Sequence, residues 1–193
     1  MSQLQLFFEL GLKHVLDWNA YDHVLFIIVL IVAYTFNDWR KVLWFVTLFT
    51  LGHTLSLVLS SYGVISVNSA IVEFLIPVTI LITAIFNLFT AGKGGRKEKV
   101  GVLYAATIFF GIIHGLGFSS YFKMLVSGQD KLVPLLGFAG GIEVAQIIVV
   151  LAVLILSFLF QTVFRFNKRD WVLVTSSIVI GVVIPMLQRT WLW

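Results

Sequence analysis

The chain has 193 residues, of which 60% are hydrophobic and 11% charged, with a formal charge of +4 and a mean hydropathy of +1.03. Soluble domains carry roughly a quarter charged residues, and a folded chain of this size still exposes about a third of the surface of its unfolded form. The composition therefore excludes a water-soluble domain and defines a polytopic membrane protein, expected as a single domain over 1–193. The lack of cysteine excludes thiolate metal sites, disulfides and thiol redox chemistry. Basic residues fall in short connections between apolar runs, as topology signals do, which argues against nucleic acid as a partner.

In chain order, residues 4–16 make an apolar run too short to cross a hydrocarbon core of about 30 Å. They lack the basic start and cleavage site of a secretory signal, so the segment is expected to be retained. The next stretch, His14 to Phe26, presses His14, Asp17, Asp22 and His23 against apolar sequence on both sides. Ionisable groups at the edge of hydrocarbon are costly enough to mark function; the plainer alternative is a polar turn capped by Asp17 or Asn19. Runs at 22–36, 42–60, 70–90, 100–122, 132–160 and 171–190 follow, with the clearest loop at 92–99. The spacing predicts an all-α transmembrane bundle, with six full spanning helices plus a short N-terminal helix, because lipid penalises unpaired backbone. Tryptophans near run ends, such as Trp39, Trp44, Trp171, Trp191 and Trp193, suit interfacial anchoring.

If the connections at 37–41, 92–99 and 164–170 share one side, that side holds nine Lys and Arg against three on the other. The excess places it in the cytoplasm, the expected location being the inner membrane, with the turn at 17–21 facing outward. On that topology His53 lies near mid-membrane, while His114 and Glu73 lie in the outer half and Glu143 near the middle of its run. All four histidines can then converge with carboxylates between the outer face and the midplane. His14 with Asp17, and Glu143 with Gln146, are three apart on a helical face, and Thr50, His53 and Thr54 form another polar stripe. A histidine helix followed by a glutamate helix occurs twice, His53 then Glu73 and His114 then Glu143, a weak echo of a parallel repeat.

Imidazole with carboxylate is borderline-metal chemistry, suited to nickel, cobalt, zinc or iron rather than magnesium or calcium. The expected site residues are His14, Asp22, His23, His53, Glu73, His114 and Glu143, nearest the ion being His23, His114 and Glu73 or Glu143. Two functions fit such a set. Successive polar stations suit a divalent-metal permease or delivery protein. Three histidines, a carboxylate and hydroxyl donors such as Ser56, Thr50, Ser119 and Ser120 suit an intramembrane zinc hydrolase, although the chain has no His-Glu-x-x-His helix and no G-x-S-x-G elbow.

Taken together, Gly11-Leu-Lys-His14, Asp22-His23-Val-Leu-Phe26, Phe49-Thr-Leu-Gly-His53-Thr-Leu-Ser-Leu57, Val72-Glu73, the Phe110 to Phe118 run around His114 and Gly141-Ile-Glu143-Val-Ala-Gln146 resemble the HupE/UreJ family. The resemblance covers nearly the whole chain. It implies a small membrane permease with Ni²⁺ or Co²⁺ as substrate, Zn²⁺ being a further candidate ion, and metalloenzyme maturation proteins as partners beside the lipid bilayer. The family pattern sets five residues between its first histidine and Asp-His; here seven separate His14 from Asp22-His23. The carry-over therefore rests on Asp22, His23, His53, Glu73, His114 and Glu143.

Overall fold

The computed structural model describes residues 2–92, 100–128 and 130–191; apart from Gly92, the expected loop at 92–99 lies outside them, as does Trp193. Seven α-helices account for most of the described chain: α1 (Gln3–Val15), α2 (Asp22–Ile31), α3 (Trp39–Ser61), α4 (Ser69–Thr90), α5 (Val100–Leu125), α6 (Leu132–Thr162) and α7 (Lys168–Arg189). From α3 onward each helix is long and apolar enough to cross a membrane, which gives five candidate spans. The second expected span is corrected. The run at 22–36 forms a helix of 10 residues, α2, followed by a turn and a short 3-10 segment at Phe36–Asp38. At about 1.5 Å per residue α2 is about 15 Å long, half of what a crossing needs.

Neighbouring contacts supply the missing half. The carbonyl of Ser61, at the end of α3, accepts a hydrogen bond of 2.6 Å from Lys131 Nζ, just before α6, so α3 and α6 are antiparallel. Glycines then fix two close parallel pairs. Gly137 faces Leu4 and Gly141 faces Phe8 and Leu12, so α1 runs with α6; Gly111 meets Phe49 and Gly115 meets His53 and Ser56, so α3 runs with α5. A Cβ on Gly115 would collide with Ser56 Oγ and the His53 carbonyl, and one on Gly141 with the Phe8 carbonyl. Such small-residue seams let backbones touch where lipid offers no hydrophobic drive to associate. Descending from His23 to Tyr34, α2 and its following turn pass His53, Phe49 and Phe45 in that order, antiparallel to α3. Helices α1 and α2 therefore point the same way, as two half-length pieces joined by the exposed turn at 17–21.

The break is stabilised at both ends. The carboxylate of Asp17 accepts from the Asn19 backbone N–H (2.9 Å) and side-chain amide (3.2 Å), closing the exposed turn, while neither residue caps a helix: the cap that ends α1 is Leu16 and the one that starts α2 is Tyr21. At the other end of α2, Asn87 Nδ2 on α4 donates to the Val29 carbonyl at 2.6 Å, satisfying one of the acceptors a helix leaves bare at its C-terminus. Below it, Asp38 accepts from the Thr35 N–H and hydroxyl, each at 3.1 Å, and starts α3. Trp39, Arg40 and Lys41 share one end of the bundle with Gly92, whose neighbour is Arg169; this is the basic end. Ser61, Lys131 and the start of α1 form the opposite end.

His53 stands fourteen positions from Trp39 and eight from Ser61, hence about 12 Å inside the opposite end rather than at the centre. The turn at 17–21 stands beside that depth rather than at the tip of the bundle, because His14 and His23 on either side of it both touch His53. The topology has a direct check in a protein without cysteine. In sealed vesicles a membrane-impermeant thiol reagent is expected to label Val64→Cys and Phe164→Cys from opposite sides; labelling of both from one side breaks the arrangement.

Candidate metal centre

Four imidazoles meet where the two half-helices face α3 and α5. The His14 and His23 ring centroids are 4.6 Å apart, and His53 lies 5.6 Å from His14 and 5.7 Å from His23. His114 lies 5.2 Å from His23. One donor nitrogen from each of His14, His23 and His53 lies within 4.8 Å of the others. Tetrahedral coordination at about 2.0–2.1 Å sets nitrogens about 3.3 Å apart, so small side-chain rotations suffice to bring three nitrogens onto one divalent ion. His114 stands just outside this group, positioned as a fourth ring.

Hydrogen bonds decide which nitrogen each ring presents. Nδ1 of His23 pairs with Asp22 Oδ1 at 3.1 Å, and the same oxygen accepts the His23 backbone N–H at 2.9 Å. Nδ1 of His114 pairs with the Phe110 carbonyl, one turn back on α5, at 2.9 Å. Because those partners are acceptors, each Nδ1 carries the proton and each Nε2 keeps its lone pair, the arrangement outer-shell groups impose on metal-bound histidine. Neither Nε2 has a hydrogen-bond partner, nor do His14 Nε2 and both nitrogens of His53, and all are buried. His53 is 0% exposed. Each unsatisfied buried group costs about 1–3 kcal/mol, so the cluster is expensive unless a ligand uses its lone pairs.

The surroundings are aromatic. Phe118 and Phe138 lie 4.2 and 5.4 Å from His14, and Phe49 and Phe26 lie 5.1 and 5.2 Å from His114. Asp22 is the opening in this collar, its side chain 18% exposed against 3% for His23. Beside the break an open cleft of ≈ 420 Å³ is lined by Leu12, Lys13, Leu16, Asp17 and Trp18.

The seven expected residues divide as follows. His14, His23 and His53 come together, with Asp22 behind His23 and His114 alongside. The longer spacing after His14 does not remove it; the extra residues are absorbed by the turn between the half-helices. Glu73 is exposed on α4 and stays outside the group. Val72, Ile76, Thr79 and Ile80 form the buried face of α4, and a residue next to Val72 points about 100° away from it. Glu143 is also outside the histidine group, part-buried and accepting a 2.6 Å hydrogen bond from Thr47 Oγ1. The two glutamates of the sequence echo thus occupy unlike environments. The pairing of Thr47 with Glu143 joins residues 96 apart and had no local signal, although both residue types stand out in apolar runs.

A family model described as HupE / UreJ protein matches residues 1–191. An all-helical membrane bundle with a buried histidine cluster is the class that fold and site define, and the chain belongs to the HupE/UreJ family, a transporter-type family linked to nickel and cobalt transport. Neither a search of curated proteins nor one of solved structures found a match.

The geometry makes a binding prediction. Titrated with Co²⁺ in detergent and followed by visible absorption, His53→Ala is expected to lose the band of a nitrogen-ligated ion. Asp22→Asn keeps it but weakens affinity by about 10–100-fold, the usual loss when an outer-shell partner of a ligand is removed. Equal Co²⁺ affinity in wild type and His53→Ala would show that this ring is no ligand.

Proposed function

We propose that the protein is a permease for a divalent transition metal, with Ni²⁺ or Co²⁺ as substrate, held in transit by His14, His23 and His53 with His114 adjacent and Asp22 orienting His23. The observation that carries this reading is the set of unpartnered buried nitrogens at the break between two half-length helices. A broken helix delivers side chains from two helix ends to one point inside a bundle, and transporters bind ions at such interruptions. The donor chemistry supports the ion class: neutral imidazoles suit late first-row divalent metals, whereas Mg²⁺ and Ca²⁺ need oxygen cages. Family membership supports transport over hydrolysis.

Access supports a direction. The part-exposed Asp22 comes just before His23 on α2, which puts it on the side of the cluster toward the Ser61 end. Nine basic residues expected at the other end favour the cytoplasm there. On this reading the ion enters from outside through the outer half of an inner-membrane protein and leaves toward the cytoplasm. Toward the basic end polar groups continue on α3 and α6, which suits passage better than a closed hydrolytic pocket.

Uptake by the purified protein in sealed liposomes, compared across nickel, cobalt, zinc, iron and manganese, is the test. Nickel or cobalt is expected to enter fastest, and His14→Ala and His23→Ala to lower the rate by at least about tenfold, equivalent to about 1.4 kcal/mol of lost interaction. A folded, correctly inserted protein that moves none of the five ions overturns the permease reading.

A further inference from the structure

A second polar cluster lies next to the histidine centre. Thr47 Oγ1 on α3 donates to Glu143 Oε1 on α6 at 2.6 Å, and one turn along Thr50 Oγ1 faces Gln146 Oε1 at 3.5 Å. Glu143 Oε2 and Gln146 Nε2 are buried with no hydrogen-bond partner, and Gln146 is 0% exposed. No ion pair to Glu143 occurs among the described residues. An interhelical clamp would explain the two hydrogen bonds, which are weak contributors within a membrane. It does not explain a carboxylate with one oxygen bare, since a buried polar atom left without a partner is a cost that such a clamp does not require.

Both helices put this cluster on the same side of the histidines. Along α3, Thr50 and Thr47 stand three and six positions before His53, about 4.5 and 9 Å nearer the basic end. Along α6, Glu143 and Gln146 lie five and eight positions beyond Phe138, whose ring faces His14 and His53, and α6 runs toward that same end. Past the cluster the packing is apolar: Val42, Phe45 and Val46 on α3 and Val149, Val150 and Val153 on α6 are all buried. The four polar groups are thus the last before a closed layer.

We propose that Thr47, Thr50, Glu143 and Gln146 form a separate, oxygen-lined release station for the same divalent cation. This rests on the reading of the histidine centre as the entry station of a permease. The donor set is two hydroxyls, one carboxylate and one amide carbonyl, with a single negative charge and no nitrogen ligand. Such oxygen donors hold late first-row metals less tightly than imidazole does. An ion that has shed water to bind three imidazoles leaves them only if another ligand set stands within reach, and the second set must release it in turn. A graded pair of stations, nitrogen then oxygen, meets both needs, because conduction requires sites that bind and then let go.

The experiment uses the full chain and Co²⁺, measuring visible absorption in detergent for the histidine centre and initial uptake in sealed liposomes for passage. Glu143→Gln and Thr47→Val are expected to keep the Co²⁺ band and affinity within about twofold of wild type while uptake falls at least about tenfold. Thr47→Ser, which keeps the hydroxyl, is expected to transport like wild type and supplies the decision should Glu143→Gln fail to fold. Unchanged uptake in Thr47→Val overturns the proposal. So does joint loss of band and uptake in that variant, since the cluster would then serve only to hold the histidine centre. A wild-type protein that binds Co²⁺ yet moves none removes both the permease and the release station, and one without the band removes the histidine centre itself.

Discussion

Everything in this bundle answers to one constraint, the cost of placing imidazole rings in an apolar interior with their lone pairs unpaired. The rings are largely shielded from water, because Phe26, Phe49, Phe118 and Phe138 pack around them. Only two of the four have a fixed proton, one through Asp22 and one through the Phe110 carbonyl. What remains is a set of bare nitrogens preorganised at modest cost in coordination geometry, a state that a cation stabilises and that neither water nor lipid can. The same constraint accounts for the break between α1 and α2. A continuous helix would present His14 and His23 nine positions apart and roughly 13 Å along its axis; the break lets the chain fold back enough to put their rings 4.6 Å apart.

Holding rings on four elements at that precision requires helices that hardly move relative to one another. The glycine seams supply this. With Gly115 against His53 and Ser56, the α3 backbone that carries His53 rests on the α5 backbone one residue from His114, so those two histidines are fixed as a unit. Gly11 and Gly141 do the same for α1 on α6, which fixes His14 relative to Phe138 and Glu143. By contrast α2 has no glycine of its own. Its hold is the Asn87 amide on its Val29 carbonyl and the aromatic stack of Phe26 on Phe49 at 5.0 Å. Phe26, Ile27, Val29 and Ile31 are buried as well, so α2 is fixed by side-chain packing where the helices of the glycine seams use backbone contact.

Much of this was legible in the sequence. The boundaries of the five helices from α3 onward follow the apolar runs to within about three residues, because long uninterrupted hydrophobic stretches leave little choice in lipid. Convergence of the histidines could be inferred from depth, since a count of rises places residues along a helix axis whatever their partners. Azimuth could not, and that is where Glu73 was misjudged: one position from the buried Val72 is enough to face away. The run at 22–36 looked like a span because Val32, Ala33, Tyr34 and Phe36 continue its apolar character. Its early end depends on Asn87, 58 residues away, accepting the job of closing the helix. Long-range partners of this kind leave no periodic trace.

Charge balance gives the last link between site and transport. Three neutral imidazoles add nothing to offset a divalent ion, and in low dielectric an uncompensated double charge is prohibitively costly. Two carboxylates stand near the path, Asp22 on the approach side behind His23 and Glu143 on the far side behind Thr47. Neither is in the histidine group, so neither would lock an ion held there with a short ionic bond, and on the permease reading the two carboxylates offset its charge from either side. On the permease reading this placement keeps the ion soluble within the bundle and free to move between stations. A carboxylate added to the three imidazoles in one coordination shell would deepen that well and slow release from the histidine centre. On the permease reading, the separation of nitrogen ligands from compensating charge leaves the ion able to pass from the histidines to the next ligand set.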